Sequence, residues 1–125
     1  MTRPLGTAED RDGNTAMFSP CRRAGDLVFV SGQASVDGGR IVPGTFEEEM
    51  RRSIENVRRI LAGEGLELSH VVRVGAYVRD AGDLPEYNRI YLEYFGEPLP
   101  ARTTITNCLG DRIKFELDVV AYGRA

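Results

Sequence analysis

The chain has 125 residues, 42% of them hydrophobic, with a formal net charge of −3 and two cysteines. That length fits one domain around one core, burying roughly 65% of the unfolded surface. The acidic balance argues against a dedicated nucleic-acid binder, and the absence of any apolar run long enough to cross a bilayer argues against a membrane span.

Residues 1–14, rich in Gly, Asp and Arg, read as a mobile arm, which leaves 15–125 as a single domain. The amino terminus carries no apolar targeting segment, so a soluble, cytoplasmic protein is expected. The run Asp26 to Val30 has strand composition and breaks at Ser31-Gly32; with the stretch before it, it predicts a hairpin turning near Ala24-Gly25. "VDGGRIVPG" reads as a loop from its glycine and proline punctuation and fits no phosphate-loop spacing.

A helix follows in "TFEEEMRRSIENVRRILAGEGL". Thr45 and Glu48 have the spacing of a capping box, Phe46, Met50, Ile54, Val57, Ile60 and Leu61 form the apolar stripe, and Gly63 or Gly65 ends it. "HVVRVGAYVRD" is a strand. "DLPEYNRIYLEYF" is a second helix with Asp83 as N-cap, Pro85 in the first turn, Glu86 closing a second capping box, and Leu84, Tyr87, Ile90, Tyr91 and Tyr94 facing inward. The segments on either side of Leu109-Gly110 read as a closing hairpin, 102–108 against 112–122. The order β-β-α-β-α-β-β is an α+β domain, two helices covering one face of a mostly antiparallel sheet.

Its strands are apolar on both sides in several places: Leu27 and Phe29 oppose Val28 and Val30, and Val120 and Tyr122 share a face with Lys114, Glu116 and Asp118. A second apolar face with no helix to cover it predicts a second copy of the chain as its cover.

The remaining polar residues give few other sites. Cys21 and Cys108 lack metal-ligand spacing and read as ordinary thiols, and His70 reads as a strand-end surface residue. The arginine doublets Arg22-Arg23, Arg51-Arg52 and Arg58-Arg59 read as solvated surface or interface. No metal is expected.

In the expected closing hairpin Arg102 and Glu116 are neighbours. One reading is a cross-strand ion pair; the other is a site in which the Arg102 fork holds a carboxylate while Glu116 handles water or protons. Pro100 fixes the entry to the strand, Thr103, Thr104 and Thr106 supply hydroxyls, and Gly32 allows close approach. An adjacent arginine favours the carboxylate form, casting Glu116 as a base or water orienter. Asp118 is the rival acid, with an arginine ion pair as its other fate.

The motifs "VFVSGQASVD", "SIENVRRILAGEGL", "VVRVGAYVRD", "YNRIYLEYF", "PARTT" and "IKFELDVVA", spread from Ala16 to Tyr122, resemble the RidA/YjgF family of enamine/imine deaminases. The resemblance implies a chorismate-mutase-like fold and a homotrimer with sites between subunits. It implies hydrolysis of 2-imino acids of the 2-aminoacrylate type to 2-oxo acids and ammonia without a cofactor, a small-molecule substrate, and no nucleic-acid or membrane partner. Residue by residue, it puts the carboxylate-binding arginine at Arg102 and the water-handling glutamate at Glu116, with Ser31 and Gly32 in the pocket wall. Phe18 stands where better-known members have a tyrosine, and Thr104 where they have a cysteine. Those two departures keep open a different, pathway-specific imine, or a metabolite-binding regulatory trimer without turnover.

Overall fold

The computed structural model describes residues 17–124, so the expected arm over 1–14 lies outside the described residues. The strands are β1 (Cys21–Ala24), β2 (Leu27–Ala34), β3 (Val36–Asp37), β4 (Arg40–Ile41), β5 (Val71–Val78), β6 (Ala101–Thr106) and β7 (Phe115–Tyr122); the helices are α1 (Phe46–Gly63) and α2 (Leu84–Tyr94). A five-stranded sheet runs β1-β2-β7-β5-β6, with every neighbouring pair antiparallel except β5 and β6. Two helices on a mixed sheet make this an α+β domain of chorismate-mutase-like type.

The first helix forms as its sequence dictates. The Glu48 amide donates to Thr45 Oγ1 at 3.1 Å and the Thr45 amide to Glu48 Oε1 at 2.8 Å, closing the capping box. Phe46, Met50, Ile54, Val57 and Leu61 are buried, with Ile60 at the margin. Periodicity did not reveal the buried polar residues of the same helix. Glu49, with no exposure, accepts from the Lys114 amide at 3.0 Å, Lys114 Nζ at 3.1 Å and the Gly44 amide at 3.2 Å. The Asn56 amide donates to the carbonyls of Ala34 and Val36, pinning the end of β2.

Three local expectations are corrected. The second capping box does not form: a 3-10 turn, Ala81–Asp83, runs straight into α2, and Asp83 makes no side-chain cap bond. Asp83 already has helical angles, which turn its carboxylate away from the free amides. β2 does not stop at Ser31-Gly32 but continues to Ala34 through a register shift between Val30 and Gln33, a bulge at the glycine. The expected loop "VDGGRIVPG" contains a small hairpin, β3 against β4, whose two turn residues Gly38 and Gly39 both have positive φ, at 54° and 74°.

The larger correction concerns the closing hairpin, which does not exist. β6 pairs with β5 in parallel, and β5 lies between β6 and β7. Arg79, just past β5, receives the Asn107 amide on its carbonyl and donates its own amide to the Lys114 carbonyl, so the connection between β6 and β7 passes across the end of β5. The reason is burial. β5 is an apolar strand that gains from pairing at both edges, whereas threonine-rich β6 is largely exposed and serves as an edge.

The core lies on the helix side, where Val28, Val30, Val74, Ala76, Val78, Phe115, Leu117, Val119 and Ala121 meet α1 and α2. The other face is open. Phe29, Ile105 and Tyr122 are 46%, 48% and 58% exposed there, while β5 contributes Arg73, Gly75 and Tyr77. That face is apolar at β2 and the end of β7, and polar at its centre.

Candidate active site

Arg102 follows Pro100 at the start of edge strand β6 and pairs in register with buried Val74, which directs it to the helix side. Its guanidinium carbon lies 4.9 Å from the Tyr87 ring centroid and 4.7 Å from that of Tyr91. Both tyrosines come from the inward stripe of α2, so helical spacing builds an aromatic seat for the cation. Thr104, next on the same face, shares a 2.7 Å hydrogen bond with the Tyr87 hydroxyl. Arg102, Asn88, Tyr91, Leu92, Leu99 and Pro100 line a groove of about 460 Å³. Among the described residues no carboxylate forms an ion pair with Arg102. Among the described residues the buried Tyr91 hydroxyl has no hydrogen-bond partner. Burial pushes the Tyr87 and Tyr91 hydroxyls up, and the Arg102 charge opposes it.

Glu116 lies elsewhere. On β7 it alternates with buried Phe115 and Leu117, so it faces the open side, in register with Tyr77 of β5 and Ala34 of β2. Gly32, at the bulge, makes room for it: a Cβ there would sit 2.3 Å from Glu116 Oε2. Asp118 is its neighbour on the same face and accepts the Tyr77 hydroxyl at 2.7 Å, not an arginine. Ser31 donates its hydroxyl to the Ser19 carbonyl at 2.6 Å, which ties down the segment bearing Phe18, itself 62% exposed.

The expected pairing of Arg102 with Glu116 is therefore overturned. The two sit on opposite faces of the sheet with β5 between their strands, two strand spacings or about 10 Å apart before any offset along the strands. Thr104 and Arg102 cluster with α2; Ser31, Gly32 and Glu116 cluster in β2 and β7, with Phe18 beside Ser19. The expected direction of the Glu116 pKa is reversed as well: burial first, and then the charge of Asp118, push its carboxyl above the usual range. Asn88, which lines the groove beside Arg102, was missed because a polar residue on a helix reads as solvent-facing. Its only signal is its place three residues before Tyr91.

His70 lies in a 3-10 turn, Leu68–His70, where its Nδ1 accepts the Glu67 amide. Among the described residues no group of three His, Cys, Asp or Glu side chains is arranged to hold a metal ion, and no helix is long and apolar enough to cross a membrane.

Residues 10–123 match the family model described as Endoribonuclease L-PSP. The chain belongs to this family, the YjgF/RidA family. It is 37% identical over 108 residues to a RutC family protein of Pyrococcus abyssi, covering 84% of this chain and 85% of that one. It is 30% identical over 90 residues to the 2-iminobutanoate/2-iminopropanoate deaminase of Dermatophagoides farinae, covering 70% of each. The crystal structure of yeast Mmf1 matches with a TM-score of 0.83 at 26% identity, over 98% of both chains.

Proposed function

We propose that the protein is a hydrolytic deaminase of enamine and imine intermediates, taking 2-imino acids of the 2-aminoacrylate type to 2-oxo acids and ammonia. The observation that carries this reading is the Arg102 guanidinium, seated on two tyrosine rings beside a groove and unpaired with any described carboxylate. A planar fork held by its face leaves its N–H edge for a substrate carboxylate, whose two oxygens match two parallel donors.

The chemistry then needs one proton-transfer group. Water adds to the electrophilic carbon of the protonated imine and loses a proton; the nitrogen gains one and leaves as ammonia while the carbonyl forms, the hydroxyl's remaining proton passing to the departing ammonia to give ammonium. A carboxyl group whose pKa is raised can accept the first proton and supply the second. Glu116 has that character. Because it faces away from Arg102 of its own chain, the reading requires Glu116 of a second copy, in a homotrimer with sites between subunits. The partly apolar open face and the family relationship, including the relative named as an imine deaminase, support that assembly and that activity.

A coupled assay tests it: a dehydratase generates 2-aminoacrylate, and keto-acid release is timed with and without the protein. Acceleration over spontaneous hydrolysis is expected. A rate equal to the spontaneous one, here and with larger imines made in situ by an amino-acid oxidase, overturns it.

The groove favours a second substrate reading. Tyr91, Leu92, Leu99 and Pro100 give it an apolar wall, and Thr104 spends its hydroxyl on Tyr87, so a larger apolar imine suits it. The oxidase-generated series separates the two by side-chain preference, and binding of 2-oxo acids without turnover would mark a regulatory trimer instead.

A further inference from the structure

Glu116 and Asp118 share the open face of β7, two residues and about 7 Å apart along the strand. Each fills the space over a glycine. A Cβ on Gly32 would lie 2.3 Å from Glu116 Oε2, and one on Gly75 would lie 2.6 Å from Asp118 Oδ1. Tyr77, the register partner of Glu116 on β5, donates its hydroxyl to Asp118 Oδ2 at 2.7 Å. Two carboxylates sharing one partly desolvated face repel each other, and the water addition itself needs only one of them.

Resting on the reading of Glu116 as the water-handling group, we propose that Tyr77 and Asp118 are positioning residues for it: the phenol holds the Asp118 anion in place beside Glu116, and Glu116 exchanges protons against that fixed charge. Burial and the like charge act in the same direction on Glu116. The Tyr77 hydroxyl senses the same cluster, pushed up by its bond to Asp118, by burial, and by the Asp118 and Glu116 charges, with the Arg73 charge opposing. Among the described groups around the pair, only the Arg73 charge is seen to oppose the rise at Tyr77. From β2, Gly32 and Gln33 bring no charge; from β5, Arg73 reaches toward edge strand β6 and donates to Thr103 Oγ1 at 3.1 Å; at the start of β7, Lys114 pairs with Glu49 of α1.

Asp118→Asn and Tyr77→Phe keep the side-chain size and test the proposal by two readouts. The first is a carbon-detected NMR titration of the Glu116 carboxyl in the full chain without substrate. The second is the pH profile of kcat/KM on the best imine found. Asp118→Asn is expected to displace the Glu116 titration, and the limb of the profile that it governs, to lower pH. Tyr77→Phe is expected to give a smaller displacement in the same direction, because Asp118 can then swing away. An unshifted Glu116 titration in Asp118→Asn overturns the positioning role even in an active enzyme. If that variant does not fold, an unshifted titration in Tyr77→Phe overturns it. A shifted titration in a protein that hydrolyses no imine overturns the deaminase reading and leaves the coupling standing.

Discussion

On the proposed deaminase reading, Arg102 holds the substrate carboxylate and Glu116 handles the proton, so each has its own test. Arg102→Lys replaces a planar fork by a point charge and removes one charge-assisted hydrogen bond to a carboxylate, so kcat/KM is expected to fall about tenfold to a hundredfold. Glu116→Gln keeps the volume but cannot move a proton, and kcat is expected to fall by about 10²–10⁴. Equal activity of both variants and wild type in the imine assay would remove both roles. Glu116 also makes stability depend on pH. Its folded state holds the proton more tightly than the unfolded chain does, so the associated stability is present below the ordinary carboxylate range and is lost as pH rises through the raised value. Urea denaturation is thus expected to find Glu116→Gln gaining on wild type as pH rises from acid to neutral. A constant difference across that range would show that Glu116 titrates normally.

At the level of elements, the link that matters for the site is the one between the start of α1 and the start of β7. Glu49 is buried and holds both the amide and the ammonium of Lys114, two residues before Glu116. Lys114→Met strands that carboxylate without its counter-charge, a change worth about 3 kcal/mol for a pair whose lysine is partly exposed. Thr45→Ala removes only the exposed cap and is expected to cost about 1 kcal/mol. Denaturant midpoints that rank the two variants in the opposite order would mean that the ion pair is not what ties these elements together.

For the whole molecule, the decisive feature is a sheet with helices on one side only. Phe29, Ile105 and Tyr122 stay exposed on the other side, and Arg102 and Glu116 lie on opposite faces. Under the proposed function, both facts make assembly a condition of activity. Light scattering at micromolar concentration is expected to give three times the chain mass of 13.8 kDa. Phe29→Asp, which puts a charge on the open face, is expected to lower that mass and the imine turnover together. A monomeric wild type that retained full activity would refute the inter-subunit site.

The amino-acid sequence by itself determined what is local. The capping box at Thr45 and Glu48 and the stripes of both helices depend on residues three or four apart, and alternation along β7 already separated Phe115, Leu117 and Val119 from Glu116 and Asp118. It also carried the motifs by which the family is recognised. Only the tertiary structure decided which strand lies beside which. Alternation says which residues of one strand share a face, but it does not tell a hairpin from two strands with a third inserted between them, because that choice is settled by burial summed over the whole sheet. β5 takes the place between β6 and β7 for that reason and separates Arg102 from Glu116, while the register puts the two on opposite faces, Arg102 level with buried Val74 and Glu116 level with Tyr77. Glu49 and Asn56 stayed hidden for a related reason: a polar residue on a helix reads as surface until its distant partners, Lys114 and the end of β2, are brought to it.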